Sequence, residues 1–305
     1  MNIGKLAVWA PVDGSISYFE NDRSAEMGPA TASRIAAFAR RVEALGYSHI
    51  WFPEGFGRNS MVTASWLLAN TSKLIVATGI ATIYARDPMA MRSAADALNE
   101  QSGGRFLLGL GVSHREAVEG MRGHDYSKPL SAMRNYLDAY EQAPYMAAPP
   151  AEPTPIVLAA LREKMIALSG ERTHGAHTYN ITPDHTANAR SILGPDKWLC
   201  VEQPMILETD PEKARKIARA ELELYLGLEN YRNSWRSLGF DGADFENGGS
   251  DRFIDATVAW GDGNALRARA DAHLQAGASQ VCIKALAAGG GTDMRILELL
   301  APQKG

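Results

Sequence analysis

The sequence is poor in cysteine and has no long apolar run. It contains two cysteines in 305 residues, Cys200 and Cys282, and each lies within a short apolar stretch. Such widely spaced cysteines are typical of buried thiols in a reducing compartment, not of a disulfide framework. No stretch reaches the roughly 18 apolar residues of a membrane-spanning helix, and the amino terminus lacks a signal-peptide pattern. These absences predict a cytoplasmic protein with no membrane partner.

An excess of charge of one sign is also lacking. The chain has 31 Lys and Arg residues against 35 Asp and Glu residues, which gives a formal net charge of −4. Proteins that bind nucleic acid need basic surface to neutralise the phosphate backbone, and the sequence has no basic stripe. We therefore expect no nucleic-acid partner. The hydrophobic content of 46% suffices for a folded core and excludes intrinsic disorder.

Short β-rich runs alternate with longer segments of helical periodicity along the whole chain. Three helix starts are marked by a capping residue before a proline, at Asp87-Pro88, Thr182-Pro183 and Asp210-Pro211. Eight such units predict a TIM (β/α)8 barrel that occupies residues 1–305 as a single domain, because buried parallel strands are apolar on both faces. A doubly wound open sheet is the alternative, but the first strand–helix turn lacks the GxGxxG pattern that would favour it. The predicted strands are Ile3–Trp9, His49–Phe52, Leu74–Gly79, Phe106–Leu110, Ile156–Ala160, His174–Thr178, Trp198–Leu207 and Gln280–Lys284.

Three connections are too long for simple turns. Those from Ala10 to Gly28 and from Gly111 to Lys128 follow the first and fourth strands, at the barrel face where active sites are built. The third, from about Asp210 to His273, carries several helical patterns between strands seven and eight. We interpret it as extra helices of the barrel or a subunit contact, not as a separate domain.

The sequence gives only weak support to metal binding and to glycoside hydrolysis. His174, His177 and His185 cluster around strand six, but their spacing is poor for a metal, and His174 and His177 point to opposite faces of a strand. No metal is therefore predicted. Glu54 and Glu202 would have to pair for glycoside chemistry, and Glu202 fits a buried structural acid equally well. Nucleophile-elbow and P-loop patterns are absent from the sequence.

Small residues at the predicted strand ends are more informative. The third strand ends in Thr78-Gly79-Ile80, which indicates a bulge, and Gly109 and Gly111 flank the end of the fourth. Gly175 and Ala176 lie in the sixth strand. Such positions suit a long planar cofactor with a phosphorylated tail, because backbone N–H groups can approach an anion there. Tight strand–helix turns explain the same glycines, and the sequence leaves both explanations open.

Four strings, ATGIATIYARDP, GRFLLGLGVSH, THGAHTYNITPDHTANAR and GGSDRFIDATVAWGD, together resemble the bacterial luciferase-like monooxygenase superfamily, and more narrowly its actinobacterial branch of coenzyme F420-dependent oxidoreductases. The resemblance covers essentially the whole chain. It implies a TIM barrel, usually homodimeric, that binds the deazaflavin coenzyme F420, or alternatively FMN, at the carboxyl-terminal mouth.

The resemblance also implies site residues. Gly79 and Ile80 correspond to a non-prolyl cis peptide bulge behind the cofactor ring, and the strand-two end lies near that ring. Two loops correspond to phosphate contacts. The implied cofactor-binding residues are Pro53, Glu54, Thr78, Gly79, Ile80, Gly111, Val112, Ser113, Gly175, Ala176 and His177.

These features predict an oxidoreductase that moves a hydride between C5 of the deazaflavin and a small organic substrate. Candidates for the proton donor or substrate orienter are Glu54, Tyr84, His114 and His177, while Arg86 is expected either to orient a ligand or to form a salt bridge. An FMN-dependent monooxygenase and a non-catalytic flavin- or deazaflavin-binding protein are the alternatives.

One departure from the resemblance concerns the substrate. The superfamily's sugar-phosphate dehydrogenases have a histidine after the acid that ends strand two, where this chain has Gly55. Their acid in the loop after strand four falls near Val112 or Ser113 here. The resemblance therefore argues against glucose-6-phosphate oxidation.

Overall fold

A computed structural model describes residues 1–12 and 30–302. Within these ranges the strands are β1 (Leu6–Trp9), β2 (His49–Phe52), β3 (Ile75–Thr78), β4 (Ala81–Thr82), β5 (Phe106–Gly111), β6 (Ile156–Ala159), β7 (Gly175–Thr178), β8 (Trp198–Leu207), β9 (Ala259–Gly261) and β10 (Gln280–Ala285). All pair in parallel, and β10 pairs with both β1 and β8, which closes the sheet. The short β4 and β9 add to β5 and β8. The predicted eight-stranded closed barrel is confirmed.

Helices connect the strands in the predicted alternation. They are α1 (Ala32–Ala44), α2 (Ser60–Ala69), α3 (Pro88–Ser102), α4 (Pro129–Gln142), α5 (Glu163–Arg172), α6 (Pro183–Leu193), α7 (Pro211–Leu226), α8 (Glu229–Arg236), α9 (Asp251–Thr257), α10 (Gly263–Gln275) and α11 (Met294–Leu299). The three predicted caps are confirmed, since the side chains of Asp87, Thr182 and Asp210 accept backbone N–H groups of the helices they begin. None of these helices is long and apolar enough to cross a membrane.

Alternate strand residues face either the barrel interior or the helices. The interior group includes Trp9, Trp51, Cys200 and Cys282. The outer group packs against the helices and includes Val8, Ile50, Leu158, Val201 and Ile283. Both cysteines are free and buried, as the sequence predicts.

The connection between β8 and β10 contains additional helices, as predicted. Helices α7, α8 and α9 lie there, with a 3₁₀ segment at Gly242–Gly248 and the short strand β9. Trp235 anchors them, because its ring contacts Phe245 and Phe253 and its indole N–H donates to the Asn180 carbonyl at 2.8 Å. The sequence pattern did not predict β9, whose three residues are too few for a recognisable period.

Two other expectations are modified. β1 begins at Leu6 and not at Ile3, because Gly4 turns the chain with φ +60° where a Cβ would lie 2.7 Å from Ser48 Oγ. The connection after β5 contains a π-helical segment, Glu116–Met121. Most of the long connection after β1 lies outside the described residues.

Candidate active site

A bulge at Gly79-Ile80 connects β3 to β4, and its peptide bond is cis, as the resemblance implies. Gly79 N donates to the Phe52 carbonyl at 2.6 Å, and the Ile80 carbonyl accepts from Glu54 N at 3.1 Å. These bonds attach the bulge to the carboxyl end of β2. The bulge therefore lies at the mouth of the barrel, where TIM-barrel enzymes bind their ligands.

Gly79 rests on a floor of three interior side chains. A Cβ at this position would lie 2.8 Å from Tyr179 Oη, 3.2 Å from Trp9 Nε1 and 3.3 Å from His177 Nε2. The Tyr179 hydroxyl donates to the Gly79 carbonyl and accepts from Trp9 Nε1 at 3.0 Å. Only glycine fits without displacing this floor. Sequence reasoning missed Trp9 and Tyr179, although the period-two alternation of strand residues places both in the interior.

Glycines in β5 make room for the bulge. A Cβ on Gly111 would lie 2.5 Å from Ile80 Cδ1, and one on Gly109 would lie 1.9 Å from the Thr78 carbonyl oxygen. The Thr78 hydroxyl donates to the Gly109 carbonyl at 2.8 Å and accepts from Gly109 N at 2.9 Å. Thr78 and Gly111 therefore pack the bulge, and their predicted contact with a cofactor stays a prediction.

The backbone after β5 retains the features expected of an anion site. Val112 and Ser113 are half-buried, and Ser113 adopts a left-handed conformation with φ 57°. The Ser113 carbonyl accepts from Tyr126 Oη at 3.0 Å. Left-handed turns after a strand direct backbone N–H groups toward a common point, which is how many phosphate groups are bound. This segment remains the candidate phosphate loop.

The structure places Gly175 and Ala176, from the second predicted phosphate loop, within strand β7. Gly175 begins β7 and pairs with Trp198, which begins β8, and a Cβ on Gly175 would lie 1.9 Å from the Trp198 carbonyl oxygen. Ala176 is fully buried and packs in the outer core. Both lie at the amino end of the strand, away from the mouth. The mouth end of β7 is instead Tyr179 and Asn180, and Asn180 has a left-handed φ of 49°.

His177 lies inside the barrel and is fully buried. Its ring contacts Trp51 at a centroid distance of 4.4 Å, and its Nδ1 lies 3.0 Å from the Cys200 carbonyl oxygen. Burial lowers the pKa of His177 to about 4, so the imidazole is neutral at pH 7. The contact with the cofactor predicted for His177 stays a prediction. The His177 Nε2 has no hydrogen-bond partner among the described residues and lies beneath Gly79.

Glu54 and Arg86 form an ion pair that is almost wholly buried. Both guanidinium Nη atoms donate to the carboxylate, which also accepts from Ser60 Oγ at 2.8 Å and Thr82 N at 3.0 Å. Burial alone would raise the pKa of Glu54, but Arg86, Ser60 and Thr82 together hold it below its usual value. Glu54 is thus held in its ionised form, in which it has no proton to donate, and its predicted contact with a cofactor or substrate stays a prediction. Of the two roles expected for Arg86, the structure shows the salt bridge.

Tyr84 and His114 lie in the loops that border the mouth. Tyr84 contacts His124 and Tyr126, with ring centroids 5.7 and 6.3 Å away, and its buried hydroxyl has no partner in the described ranges. Burial and the nearby Asp125 raise the pKa of Tyr84. His114 is half-buried, and burial lowers its pKa. Both remain candidates for contact with a substrate.

A buried charged cluster at the upper end of the barrel interior is the main feature that sequence reasoning missed. Lys284 in β10 pairs with Glu221 of α7, and its Nζ lies 3.7 Å from Oε1 of Glu202 in β8. Glu202 is 0% exposed, and burial raises its pKa to about 7 although Lys284 and the Asn180 N–H act in the opposite direction. The available signal was a lysine and a glutamate inside apolar strands, VCIKA and LCVEQ.

The residues considered for glycoside hydrolysis and for metal binding do not come together in the described structure. Glu54 is paired with Arg86 and Glu202 is sealed from solvent, so these carboxyls do not face a common substrate as glycoside hydrolysis requires. His174 Nδ1 accepts from Ile156 N, and His185 Nε2 bonds to the Leu161 carbonyl. In the part of the chain that the structure describes, no three His, Cys, Asp or Glu side chains group as a metal site.

The mouth fits a planar cofactor on its own geometry. A bulge seated on three aromatic rings provides a rigid backing, the unpartnered His177 Nε2 lies beneath it, and the Ser113 turn follows the neighbouring strand. The fold is thus that of the TIM barrels, whose ligand sites lie at the carboxyl ends of the strands. A sequence profile of the luciferase-like monooxygenase family matches residues 14–280. The chain belongs to this family, which confirms the family identified from the motifs.

Two curated relatives match part of the chain. A Mycobacterium tuberculosis protein provisionally named coenzyme F420-dependent oxidoreductase Rv3520c is 31% identical over 140 residues, covering 46% of this chain and 38% of that protein. A 5,10-methylenetetrahydromethanopterin reductase from Methanolobus tindarius is 28% identical over 159 residues, covering 47% of this chain and 48% of the reductase. The matched regions span less than half the length of either relative.

Solved structures share the fold over nearly the whole chain. An F420-dependent secondary alcohol dehydrogenase in complex with an F420-acetone adduct superposes with a TM-score of 0.71 at 12% identity, over 92% of each chain. The FMN-bound oxygenating constituent of 3,6-diketocamphane monooxygenase from Pseudomonas putida gives a TM-score of 0.70 at 12% identity, over 98% of this chain and 97% of that one. At such identities the likeness concerns the fold alone.

Proposed function

We propose that this protein is a coenzyme F420-dependent oxidoreductase that transfers a hydride between the deazaflavin and a small organic substrate. The observation that carries the proposal is the seat of the Gly79-Ile80 bulge on Trp9, Tyr179 and His177 at the barrel mouth. The name of the Mycobacterium relative supports F420 as the cofactor. When bound, the deazaflavin supplies the hydride chemistry.

The chain's own residues would hold the cofactor at its ring and at its tail. Ile80 and the Gly79 backbone would support one face of the ring, with Pro53 beside them at the end of β2. Backbone N–H groups of Val112 and Ser113 would bind an anionic group of the tail, because a left-handed turn leaves them accessible. Tyr84 and His114 would border the substrate from the neighbouring loops.

FMN is the second candidate cofactor. It is supported by the FMN-bound monooxygenase of the same fold, and the seat of the bulge suits either ring. The two cofactors differ in ring chemistry and in the length and charge of the tail, so relative affinity separates them. A non-catalytic binding protein would bind one of them without turnover.

A titration of the protein with F420 and with FMN, followed by cofactor fluorescence, tests the proposal. We expect F420 to bind and FMN to bind at least about tenfold more weakly. Val112→Glu places a carboxylate beside the proposed tail site and should weaken F420 binding at least about tenfold through like-charge repulsion. Leu224→Glu, an exposed position on α7, is the control and should bind as the parent does.

Preferential FMN binding would contradict the F420 assignment. Unchanged F420 affinity in a folded Val112→Glu variant would place the tail elsewhere. Turnover with reduced F420 and small carbonyl compounds then separates an enzyme from a binding protein.

We also propose that the protein is a cytoplasmic homodimer associated through α2. Val62 and Trp66 lie one helical turn apart on this helix and are 65% and 42% exposed, and Phe56 and Met89 are also exposed. A group of large apolar side chains on a protein surface is typical of an interaction site. The buried free thiols support a reducing compartment.

A further inference from the structure

A cavity of about 200 Å³ lies beside the barrel mouth, between the end of β1, the segment after β10 and helix α7. Its walls are largely apolar and include Trp9, Ile217 and Leu286, whereas Glu221 and Lys284 contribute its charged groups. Drug-sized ligands occupy pockets of roughly 300–1,000 Å³. The volume therefore suits a smaller molecule.

Within the described residues, Lys284 has one N–H in this cavity with no acceptor at hydrogen-bond distance. An ammonium group has three N–H donors. Among the described residues, one is directed to the Glu221 carboxylate and a second to Tyr225 Oη at 3.3 Å. Glu202 Oε1 lies 3.7 Å from Nζ, which is beyond hydrogen-bond distance. Among the described residues the third N–H has only Glu202 Oε1 within ion-pair distance, so a ligand acceptor would compete with that carboxyl group for it.

Trp9 connects this cavity to the proposed cofactor site. The Lys284 Nζ lies 4.5 Å from the centroid of the Trp9 ring, so the ammonium faces one side of the indole. The indole nitrogen donates to Tyr179, which supports the bulge, and a Cβ on Gly79 would lie 3.2 Å from Nε1. The ring of Trp9 therefore borders the cavity, while its indole nitrogen lies in the floor beneath the bulge.

We propose that this cavity is the substrate subsite, and that it takes a small, mainly apolar molecule whose neutral carbonyl or imine acceptor is bound by Lys284. The inference rests on the proposed function, since it names the substrate class of that enzyme. Apart from Trp9, which also supports the bulge, its residues are distinct from those that would hold the cofactor.

The local charges favour a neutral acceptor over an anion. Lys284 already faces the Glu221 carboxylate, and Glu202 lies below it. A carboxylate or phosphate ligand would meet Glu221 in the same cavity, and that repulsion offsets the attraction of Lys284. A carbonyl oxygen adds no charge and still gains a hydrogen bond from an ionised donor, which is stronger than a bond between neutral groups.

The test measures binding of cyclohexanone, its hydrocarbon analogue methylenecyclohexane and cyclohexanecarboxylate by ligand-detected NMR. The protein is used without cofactor and saturated with oxidised F420, which has no hydride to give. Lys284→Met removes the donor. Ala220→Phe fills the cavity from its exposed rim on α7, and Lys216→Met is a matched control on the exposed surface of the same helix.

We expect the parent and Lys216→Met to bind the ketone at least about tenfold more tightly than the hydrocarbon or the carboxylate. Lys284→Met should lose this preference, and Ala220→Phe should weaken both neutral ligands at least about tenfold. A ketone preference that survives Lys284→Met, or tighter carboxylate binding, would overturn the proposal. If Lys284→Met does not fold, unchanged ketone binding by Ala220→Phe overturns it instead.

A fluorescence titration with F420 separates this inference from the proposed function. Both variants should bind F420 as the parent does, because neither residue contacts the bulge or the Ser113 turn. A parent that binds no F420 contradicts the proposed function, whereas the ketone titration without cofactor still decides the role of the cavity.

Discussion

Glu54 and Arg86 form a two-pronged ion pair that joins the end of β2 to the residue before the cap of α3. The pair lies beside the bulge, because Glu54 also donates its backbone N–H to the Ile80 carbonyl and accepts from Thr82 N. These bonds join the end of β2 to β4 and to the start of α3, and an ionised carboxylate has no proton to donate.

Removal of one partner of this pair should destabilise the protein strongly. Arg86→Met leaves a buried carboxylate without its counter-charge and should lower the free energy of unfolding by about 3–5 kcal/mol. Urea denaturation followed by circular dichroism measures the loss. The exposed pair of Arg236 and Glu229 is the control, and Arg236→Met should cost less than about 1 kcal/mol. The double variant Glu54→Gln, Arg86→Met should recover part of the loss, and equal losses in the two single Arg variants would contradict this account.

Glu202 should make stability depend on pH. Its pKa is raised from 4.5 to about 7 by burial, so folding favours its protonated form. The stability that this preference provides is complete below pH 4.5 and is lost as pH rises through 7, a change of roughly 3 kcal/mol. The charged and titratable groups around it are Lys284, Glu221, Tyr179, Tyr225, Tyr231 and Cys282.

Glu202→Gln is the matched test. Its amide oxygen can still accept the Asn180 N–H, and the loss of stability between pH 5 and 8.5 should become smaller than in the parent. Glu223→Gln, on the exposed side of α7, should leave the pH profile unchanged. Thermal or urea unfolding at several pH values gives the profiles. If the free energy of unfolding changes equally with pH in the parent and in Glu202→Gln, Glu202 titrates in the folded protein as it does in the unfolded chain.

Gly79 should tolerate no side chain while Tyr179 keeps its hydroxyl. Gly79→Ala brings Cβ to 2.8 Å from Tyr179 Oη, and such overpacking should cost about 1–3 kcal/mol and weaken F420 binding. Tyr179→Phe removes the clashing oxygen, so the double variant should be more stable than the sum of the single losses predicts. Gly120→Ala is the control, because no atom lies within 4 Å of its added Cβ. Strict additivity of the two losses, measured by urea unfolding, would exclude this contact as the cause.

The exposed apolar residues of α2 should govern association. Trp66→Glu and Val62→Glu place charge on the proposed dimer surface and should shift the dimer toward monomer, because a buried unpaired charge is costly. Sedimentation velocity at several protein concentrations measures the change. Leu224 is also apolar and is 69% exposed, but it lies on α7. Leu224→Glu is therefore the control and should leave the oligomeric state unaltered. A parent protein that is monomeric at all concentrations would rule out the dimer.

Local patterns in the sequence determine the architecture of this protein. Strand β8 is predicted to its terminal residues, and helices α3, α6 and α7 begin at the predicted caps, because capping and strand periodicity depend on near neighbours in the chain. The motif resemblance led to the family and to the Gly79-Ile80 bulge, both of which are confirmed.

The roles of the polar residues depend on partners far away in sequence. Glu54 meets Arg86 across 32 residues, Tyr179 reaches the Gly79 carbonyl across 100, and Lys284 meets Glu221 across 63. No local sequence pattern indicates such pairings, so the sequence alone could not show that Glu54 pairs with Arg86 or that Lys284 lines a cavity. Gly175 and Ala176 illustrate the same limit, since the offset between tilted strands decides which residues reach the mouth. The sequence by itself determined the barrel, its family and its bulge, whereas closure of the barrel decided which side chains are buried, paired and left free for a ligand.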